Sequence, residues 1–313
     1  MSKVFAFFLS LRDIENTEKM LISKKDKFAV TYKDVKYTYE QLLRYSQCYA
    51  NVFASEKSPE KVLICAQNSP EWCFAFYGAM RCKSIVVPLD AQSTKKEIEY
   101  VINDCSPDIV FVSDDKKEMF SDLELQGACL MTKDDVVLSD DDNIPATDIP
   151  LRGKDDVMLI NYTSGTTGNP KGVMLTFNNV MFNVDSVSKQ VPIFQPDSNV
   201  MVLLPLHHIL PLLGSLVAPL YMGGTLHIAE AMNAESIIKT LNAGKVSIII
   251  GVPRLYDMLV KGIMNKINAS FVTRLLYRIT KLIGSDKVSR IVFSSVHKKF
   301  GGHLKYLVSG GAA

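Results

Sequence analysis

The sequence predicts an α/β fold, and three patterns support that prediction. Short apolar runs rich in β-branched residues alternate with helical stretches over most of the 313 residues. The runs are continuous rather than alternating, which is typical of parallel strands covered on both faces. The composition, 47% hydrophobic and 22% charged, excludes an intrinsically disordered chain. The length of 313 residues suits roughly two domains, or one large domain.

The apolar runs predict eight strands along the chain. The predicted strands are Val62–Ala66, Ile85–Pro88, Ile109–Val112, Val157–Tyr162, Val200–Leu204, Thr225–Ala229, Ser247–Gly251 and Tyr306–Ser309. Between them, Thr38 with Gln41 and Thr94 with Glu97 each fit a capping box, so a helix is expected to begin after each threonine. Trp72 is expected to pack in the core.

Two apolar segments raise the question of membrane insertion. Val4–Leu11 is short and lacks a cleavage-site pattern, which argues against a signal peptide. Val200–Ala229 is long enough to span a bilayer, but prolines, a Gly223-Gly224 pair and three histidines interrupt it. We interpret this segment as a strand, a buried helix over about 209–222 and a second strand. We expect a soluble, cytoplasmic protein, with contact at the inner membrane face as a further option.

Charge and cysteine content exclude several function classes. The formal net charge of +2 provides no global basic field, so we expect no nucleic-acid partner. The six cysteines include no C-x-x-C pair, and we interpret them as small buried hydrophobic residues in a reducing compartment. Neither a disulfide framework nor a zinc site is expected. The acidic stretch Asp134–Asp156 is the best candidate for a linker. Runs of acidic or of basic residues along the chain are interpreted as solvent-exposed faces.

One loop has the composition of a polyphosphate site. The segment 163–172 reads TSGTTGNPKG and lies between two apolar runs, VMLIN and VML. Glycines let backbone N–H groups approach an anion, while hydroxyl groups and a lysine add donors and positive charge. The candidate phosphate-binding residues are Thr163, Ser164, Gly165, Thr166, Thr167, Gly168, Lys171 and Gly172.

This loop does not fit the Walker A pattern. From Gly165, the pattern would require glycine where Pro170 stands and serine or threonine where Gly172 stands. A kinase or GTPase phosphate loop is therefore excluded by spacing. An ordinary connecting loop remains the alternative, although few such loops are so dense in glycine and hydroxyl residues.

The loop resembles the phosphate-loop signature of the adenylate-forming superfamily, which comprises acyl-CoA synthetases, luciferases and peptide-synthetase adenylation domains. Further segments resemble that superfamily in the expected order: YTYEQL (37–42), NSPEW and the residues that follow it (68–90), LPLHH (204–208) and VSGGAA (308–313). NSPEW and GVPRLYDML (251–259) resemble the long-chain fatty acyl-CoA branch more than peptide-synthetase domains.

The resemblance implies a fold, a reaction and a set of site residues. The fold would be the superfamily's N-terminal domain, with interleaved parallel-sheet α/β lobes over about 1–155 and 156–313. The reaction would be AMP-forming ligation of a fatty acid to coenzyme A, with ATP and Mg²⁺ required. Lys171 would neutralise the phosphates and the Thr163 hydroxyl would contact Mg²⁺. The acyl or adenylate pocket would include His208, Ser309, Gly310, Gly311 and Ala312.

Several alternatives stay open beside this interpretation. His208 could be a hydrogen-bonded core histidine, and Gly310 and Gly311 could simply form a turn. The acid could be an aryl, amino or other acid, or the chain could be a non-enzymatic remnant that binds ATP or an acyl group. Because the superfamily's later motifs, including the lysine of its mobile C-terminal domain, do not occur before Ala313, we expect an incomplete N-terminal portion with doubtful activity alone. The pattern leaves the oligomeric state undetermined.

A basic amphipathic helix is predicted near the end of the chain. Arg274, Arg278 and Lys281 share one helical face, and an apolar stripe formed by Phe271, Leu275, Ile279 and Leu282 occupies another. The first interpretation is a surface helix that buries its apolar stripe in the core. The second is that the basic region 271–299 makes a weak peripheral contact with an anionic membrane.

Overall fold

The structure is a computed structural model that describes residues 26–55, 58–140, 153–163, 170–191 and 193–311. The apolar segment Val4–Leu11 and the centre of the predicted linker Asp134–Asp156 lie outside the described residues. So do several predicted site residues, namely Ser164, Gly165, Thr166, Thr167, Gly168 and Ala312.

Strands and helices alternate along the chain, as the apolar pattern predicts. The strands are Phe28–Tyr32 (β1), Val35–Thr38 (β2), Lys61–Cys65 (β3), Ile85–Pro88 (β4), Ile109–Val112 (β5), Cys129–Met131 (β6), Val157–Thr163 (β7), Lys171–Thr176 (β8), Asn199–Val202 (β9), Thr225–Ile228 (β10), Ile248–Gly251 (β11) and Tyr306–Ser309 (β12). The helices are Tyr39–Phe53 (α1), Pro70–Arg81 (α2), Lys95–Cys105 (α3), Lys117–Ser121 (α4), Phe177–Asp185 (α5), Ile209–Pro211 (α6), Ala218–Tyr221 (α7), Ala234–Ala243 (α8), Pro253–Asn268 (α9), Phe271–Ile283 (α10), Asp286–Val292 (α11) and Ser294–Lys299 (α12). Short 3₁₀ turns lie at Asp114–Lys116 and Lys133–Asp135, and π-helical turns at Ser186–Gln190 and Leu212–Val217.

The strands form two six-stranded mixed sheets. One has the order β6-β5-β3-β4-β7-β8 and the other the order β12-β11-β9-β10-β1-β2. Neighbouring strands are parallel except for two antiparallel pairs, β1–β2 and β7–β8, each at one edge of its sheet. The α/β class is confirmed, with these two edge pairs added to the expected parallel strands.

The two sheets draw their strands from interleaved parts of the sequence. The first two strands belong to the sheet that otherwise contains β9 to β12, whereas β7 and β8 complete the sheet that begins with β3. The division into lobes at about 155/156 therefore stays a prediction about larger units and does not coincide with the division between the sheets.

The two predicted capping boxes are present, and they explain where α1 and α3 begin. The Thr38 hydroxyl accepts from the Gln41 backbone N–H at 3.1 Å, and the Gln41 side chain accepts from the Thr38 N–H at 3.1 Å. Thr94 and Glu97 exchange the equivalent bonds at 3.4 and 2.8 Å. Such reciprocal bonds satisfy backbone donors that the first helical turn leaves unpaired.

Helices α1 and α2 pack closely in the core beside the sheets. Trp72 is buried and stacks on Phe76, with ring centroids 5.4 Å apart and an interplanar angle of 15°. A Cβ atom at Gly78 would lie 2.6 Å from the Tyr49 Cβ, so glycine permits the close approach of the two helices. Five cysteines are buried as expected, but Cys129, on the edge strand β6, is exposed.

The apolar segment Val200–Ala229 folds as predicted into strand, helix and strand. Strand β9 leads into the interrupted helical segment 209–221, and β10 follows and pairs with β9. The helix interior is buried, including Leu212 and Leu216. Within the parts of the chain that the structure describes, no helix has both the length and the apolar character needed to cross a membrane.

Candidate active site

The two ends of the phosphate-loop motif lie on an antiparallel pair of strands, called the hairpin below. Strand β7 pairs with β8 so that Thr163 stands opposite Lys171 and Tyr162 stands opposite Gly172. The chain therefore leaves the sheet at Thr163 and returns at Lys171, and both of these residues are exposed. This strand–loop–strand arrangement differs from the strand–loop–helix of a Walker A site, in agreement with the sequence spacing.

Gly172 has a packing role within this hairpin. A Cβ atom at this position would lie 2.9 Å from Ile160 Cγ2 and 3.1 Å from Tyr162 Cζ, so the ring of Tyr162 occupies the space of a side chain. The Tyr162 hydroxyl donates to Asp104 Oδ2 at 2.5 Å, near the end of α3. Burial and this hydrogen bond raise the pKa of the Tyr162 phenol, which stays protonated and anchors the hairpin to α3.

Two asparagines hold the LPLHH segment from either side. The Asn68 amide donates to the Leu204 carbonyl at 2.9 Å and accepts from the Leu206 N–H at 2.9 Å. The Asn161 amide, from β7, donates to the His207 carbonyl at 2.7 Å. Because Asn161 belongs to the hairpin strand, this bond places the two histidines beside the sheet that carries the phosphate-loop motif.

His207 and His208 form a close pair in different environments. Their ring centroids are 4.0 Å apart, with His207 half-buried and His208 exposed at the start of α6. Burial and the neighbouring His208 lower the pKa of His207 to about 4, against an opposing contribution from Asp90. His207 is therefore neutral at pH 7, and its 3.7 Å contact with the Asp90 carboxylate is not an ion pair at that pH.

An apolar cleft begins directly after His208. Its volume is about 330 Å³, and it is lined by residues of β8, α5, α6, β11 and β12 and by the adjoining turns. Lining side chains include Leu175, Val180, Leu210, Leu213, Ile250 and Val308. Among the described residues that line the cleft, none carries a charged side chain. The cleft is at the small end of the size range of ligand sites and has their apolar character.

Each asparagine of the cleft lining has one side-chain amide atom hydrogen-bonded within the protein. Asn179 completes the cap of α5 by exchanging hydrogen bonds with Thr176 at 3.0 and 3.2 Å. The Asn183 amide donates to the Asn179 carbonyl at 2.9 Å. These bonds limit the polar groups that face the cleft, which favours an apolar ligand.

The segment Ser309-Gly310-Gly311 (the SGG segment) lies against the same cleft. Ser309 ends β12 and Gly311 has a φ of 74°, a conformation that glycine adopts readily. A Cβ atom at Gly311 would lie 3.1 Å from Leu210 Cδ2, so the turn rests directly on a cleft residue. The Tyr256 hydroxyl, 2.7 Å from the Val308 carbonyl and 3.0 Å from the Ile249 carbonyl, holds β12 beside β11.

The structure thus brings together three of the predicted segments around one cleft: β8 of the hairpin, the helix that follows His208, and the strand that ends at Ser309. The roles of Thr163, Lys171, His208, Ser309, Gly310 and Gly311 toward a ligand stay predictions. Sequence reasoning missed Asn68, Asn161 and Tyr256 as positioning residues. A polar residue within the apolar run VMLINYT was the one signal that could have identified Asn161.

The chain is similar in sequence to characterised proteins whose names refer to different acids. The chain is 32% identical over 196 residues to a long-chain-fatty-acid–CoA ligase 1 of Saccharomyces cerevisiae, covering 57% of the chain and 28% of the relative. It is 27% identical over 231 residues to a feruloyl-CoA synthase of an Amycolatopsis species, covering 73% and 46%. The chain spans less than half the length of these relatives.

Solved structures share the fold at lower identity. ATP-bound MatB from Rhodopseudomonas palustris superimposes with a TM-score of 0.71 at 23% identity, covering 99% of this chain and 55% of that one. The N-terminal domain of FACL13 from Mycobacterium tuberculosis, bound to an inhibitor, gives a TM-score of 0.68 at 22% identity, covering 77% and 63%. The family model for AMP-binding enzymes matches residues 20–313. The chain accordingly belongs to the AMP-binding enzyme family.

Proposed function

We propose that this protein activates a fatty acid as its acyl adenylate, with release of diphosphate, and passes the acyl group to coenzyme A. The observation that carries the proposal is the apolar cleft of about 330 Å³ beside the SGG turn and the hairpin. An aliphatic chain would gain free energy by leaving water for such a cleft, at about 0.8 kcal/mol for each buried CH₂ group.

The lining of the cleft favours an apolar acid over an amino acid. A bound α-ammonium group would need a carboxylate partner, because an isolated buried charge is strongly disfavoured. None of the described lining residues supplies one. The match to a long-chain-fatty-acid–CoA ligase supports the aliphatic choice, and the match to a feruloyl-CoA synthase keeps an aryl acid as an outcome of the test.

The hairpin supplies the groups proposed to hold the phosphates of ATP. Lys171 is exposed where β8 begins, so its ammonium would act as a point charge beside the loop. The Thr163 hydroxyl, exposed across the ladder from it, offers one neutral oxygen. The sequence assigns backbone and hydroxyl donors to Ser164, Gly165, Thr166, Thr167 and Gly168 of the intervening loop.

The donor set near Thr163 fits a magnesium ion that arrives with the nucleotide. Within the described residues there is no cluster of three or more histidine, cysteine or acidic side chains that could hold a metal alone. Mg²⁺ commonly takes only one or two protein ligands and completes its shell with substrate phosphates and water. Bound there, Mg²⁺ would neutralise phosphate oxygens, and the Thr163 hydroxyl would be one of its ligands.

In the proposed reaction, a carboxylate oxygen of the acid attacks the α-phosphorus of ATP. The bond from that phosphorus to the bridging oxygen breaks, diphosphate leaves, and the coenzyme A thiol later displaces AMP from the acyl carbon. The chain's residues contribute position and charge rather than covalent steps. Asn68 and Asn161 fix the backbone that precedes the cleft, and His208 would line its entrance.

The proposal is tested with an acid labelled with ¹⁸O in both carboxylate oxygens. The protein encoded by the complete gene would be incubated with labelled palmitate, ATP, Mg²⁺ and coenzyme A, and AMP would be analysed by mass spectrometry. Attack on the α-phosphorus places one labelled oxygen in each AMP. Formation of ADP, or of AMP without label, would contradict the proposed route.

A further inference from the structure

Helix α10 packs against the protein with its hydroxyl-bearing side and turns its apolar side outward. Thr273, Tyr277 and Thr280 recur at a spacing of four and three residues, and these three are the least exposed side chains of the helix. Thr280 is only 4% exposed, and its hydroxyl lies 3.0 Å from the Leu276 carbonyl. The Tyr277 ring contacts Phe293, with centroids 6.3 Å apart.

The opposite side of α10 is a row of large apolar side chains in solvent. Phe271 is 73% exposed, Leu275 47% and Leu282 88%, and their spacing of four and seven places them on one side. Val272, Ile279 and Ile283 extend this side and are 62%, 43% and 54% exposed. The interpretation that the apolar stripe is buried in the core is therefore wrong, because the helix is oriented the other way.

Positive charge borders this apolar row. Arg274, Arg278 and Lys281 are exposed along one flank of α10, and the following helices add further exposed cations at Lys287, Arg290, Lys298 and Lys299. Ile291, on α11, is also 74% exposed. Between Met258 and Gly311 the sequence contains a single acidic residue, Asp286.

We propose that the outward face of α10, together with the cations of α11 and α12, docks on the surface of an anionic lipid bilayer. The apolar row would enter the boundary between headgroups and acyl chains, while the flanking cations would meet anionic headgroups. Charge complementarity favours lipid over a second copy of the chain, since pairing two copies of this face would bring like charges together.

This inference is independent of the proposed function, but the two are compatible. Helix α9 begins two residues after β11, whose Ile250 lines the cleft, and α10 follows α9 directly. A bilayer contact here would hold the protein beside a pool of poorly soluble acids. Vesicle binding requires no catalysis, so its failure and the failure of acid activation are separate outcomes.

The test is co-sedimentation with phosphatidylcholine vesicles, with and without phosphatidylserine. The protein is expected to bind the anionic vesicles at about 0.1 M salt and to dissociate at 1 M, where the Debye length is only about 3 Å. Binding to neutral vesicles should be much weaker. Equal binding to both vesicles, or binding that 1 M salt leaves unchanged, would overturn the proposal.

Paired variants localise the contact. Arg274→Gln with Arg278→Gln should weaken binding to anionic vesicles by roughly 30-fold, since each cation contributes about fivefold near such a surface. Leu275→Ser with Leu282→Ser should also weaken binding to the anionic vesicles, because it removes two side chains of the apolar row. This loss would be measured at high lipid concentration. Matched controls are Lys96→Gln with Lys154→Gln, and Val137→Ser with Phe182→Ser, which change exposed residues elsewhere.

The remaining outcomes also decide the matter. Unfolding would be monitored by circular dichroism, and all of the substituted side chains are exposed, so folded variants are expected. Full binding by both α10 variants would overturn the assignment to this helix. Absence of binding by the wild-type chain to anionic vesicles would overturn the proposal. Self-association abolished by Leu282→Ser, without vesicle binding, would identify a second copy as the occupant.

Discussion

At the scale of single residues, His227 illustrates how a buried polar group joins strands of one sheet. Its Nδ1 lies 2.7 Å from the Thr31 hydroxyl and its Nε2 lies 2.9 Å from Asn199 Oδ1. The neutral ring satisfies both contacts, with Nε2–H donating to the amide oxygen and Nδ1 accepting from the hydroxyl. Burial, with a smaller contribution from the charge of Lys36, lowers the pKa of His227 to about 4.

This environment predicts that acid destabilises the fold before the carboxylates titrate. The unfolded chain binds a proton at His227 below a pKa of about 6.5, whereas the folded chain excludes it until about pH 4. The free energy of unfolding should therefore be highest above about pH 6.5 and fall as the pH decreases toward 4, by up to about 1.4 kcal/mol per pH unit from this residue. Urea unfolding between pH 7 and 5 measures this slope.

Two variants assign the slope to its residues. His207 has a similarly low pKa, of about 4, so the wild-type slope contains a second contribution of the same sign. His227→Gln and His207→Gln should each flatten the slope, and the double variant should remove most of it, whatever the stability of each variant at pH 7. An unchanged slope in His227→Gln would contradict the assignment.

Lys171 carries a prediction about catalysis. In the protein encoded by the complete gene, Lys171→Ala should slow adenylation by about 10- to 150-fold, because it removes a charge-assisted contact worth roughly 1.5–3 kcal/mol. Transfer from preformed acyl adenylate to coenzyme A should change less. Lys154→Ala, another exposed lysine before the hairpin, is the matched control. Equal losses in both half-reactions would contradict the phosphate role.

At the scale of elements, two helical glycines have opposite predicted effects on stability. At Gly78 in α2, a Cβ atom would meet the Tyr49 Cβ at 2.6 Å, and a Cβ cannot rotate away. At Gly262 in α9, nothing lies within 4 Å of the added atom. Gly78→Ala should lower the free energy of unfolding by about 1–3 kcal/mol. Gly262→Ala should raise it by about 0.5–1 kcal/mol, because alanine is the better helix former.

Urea unfolding of the 313-residue chain at pH 7 compares the two variants. Both substitutions are chemically identical and both lie in helix interiors, so the difference between them isolates the contact with Tyr49. A Gly78→Ala variant as stable as the wild type would show that α1 and α2 are farther apart than the 2.6 Å contact requires. A destabilised Gly262→Ala variant would contradict the open space around α9 at that position.

Sequence signals that act over a few residues correctly predicted where two helices begin. The capping boxes at Thr38 and Thr94 act within four residues, so the starts of α1 and α3 could be read directly from the sequence. Strands β1 and β2 were missed because their apolar pattern is weak and because β1 pairs with a strand that lies far along the chain. Val30 of β1 pairs with Leu226 of β10, far along the chain, and the edge strand β2 is largely exposed.

At the scale of the whole molecule, the fold brings three of the segments that carry motifs together around one cleft. The hydrogen bond from Asn161 to the His207 carbonyl joins β7 of one sheet to the turn that follows β9 of the other sheet, which no local pattern encodes. The orientation of α10 follows the same rule. Its amphipathic pattern was evident in the sequence, but the direction in which the apolar side points depends on what the rest of the chain places around it.

The central claim, activation of an apolar acid in the cleft, is tested most directly by acid-dependent exchange of labelled diphosphate into ATP. The protein encoded by the complete gene would be assayed with a series of fatty acids, with ferulate and other aryl acids, and with amino acids, at equal concentrations. The uncharged apolar lining predicts exchange that depends on fatty acids and exceeds the exchange seen with amino acids. Exchange supported by amino acids and not by any fatty acid would contradict the account.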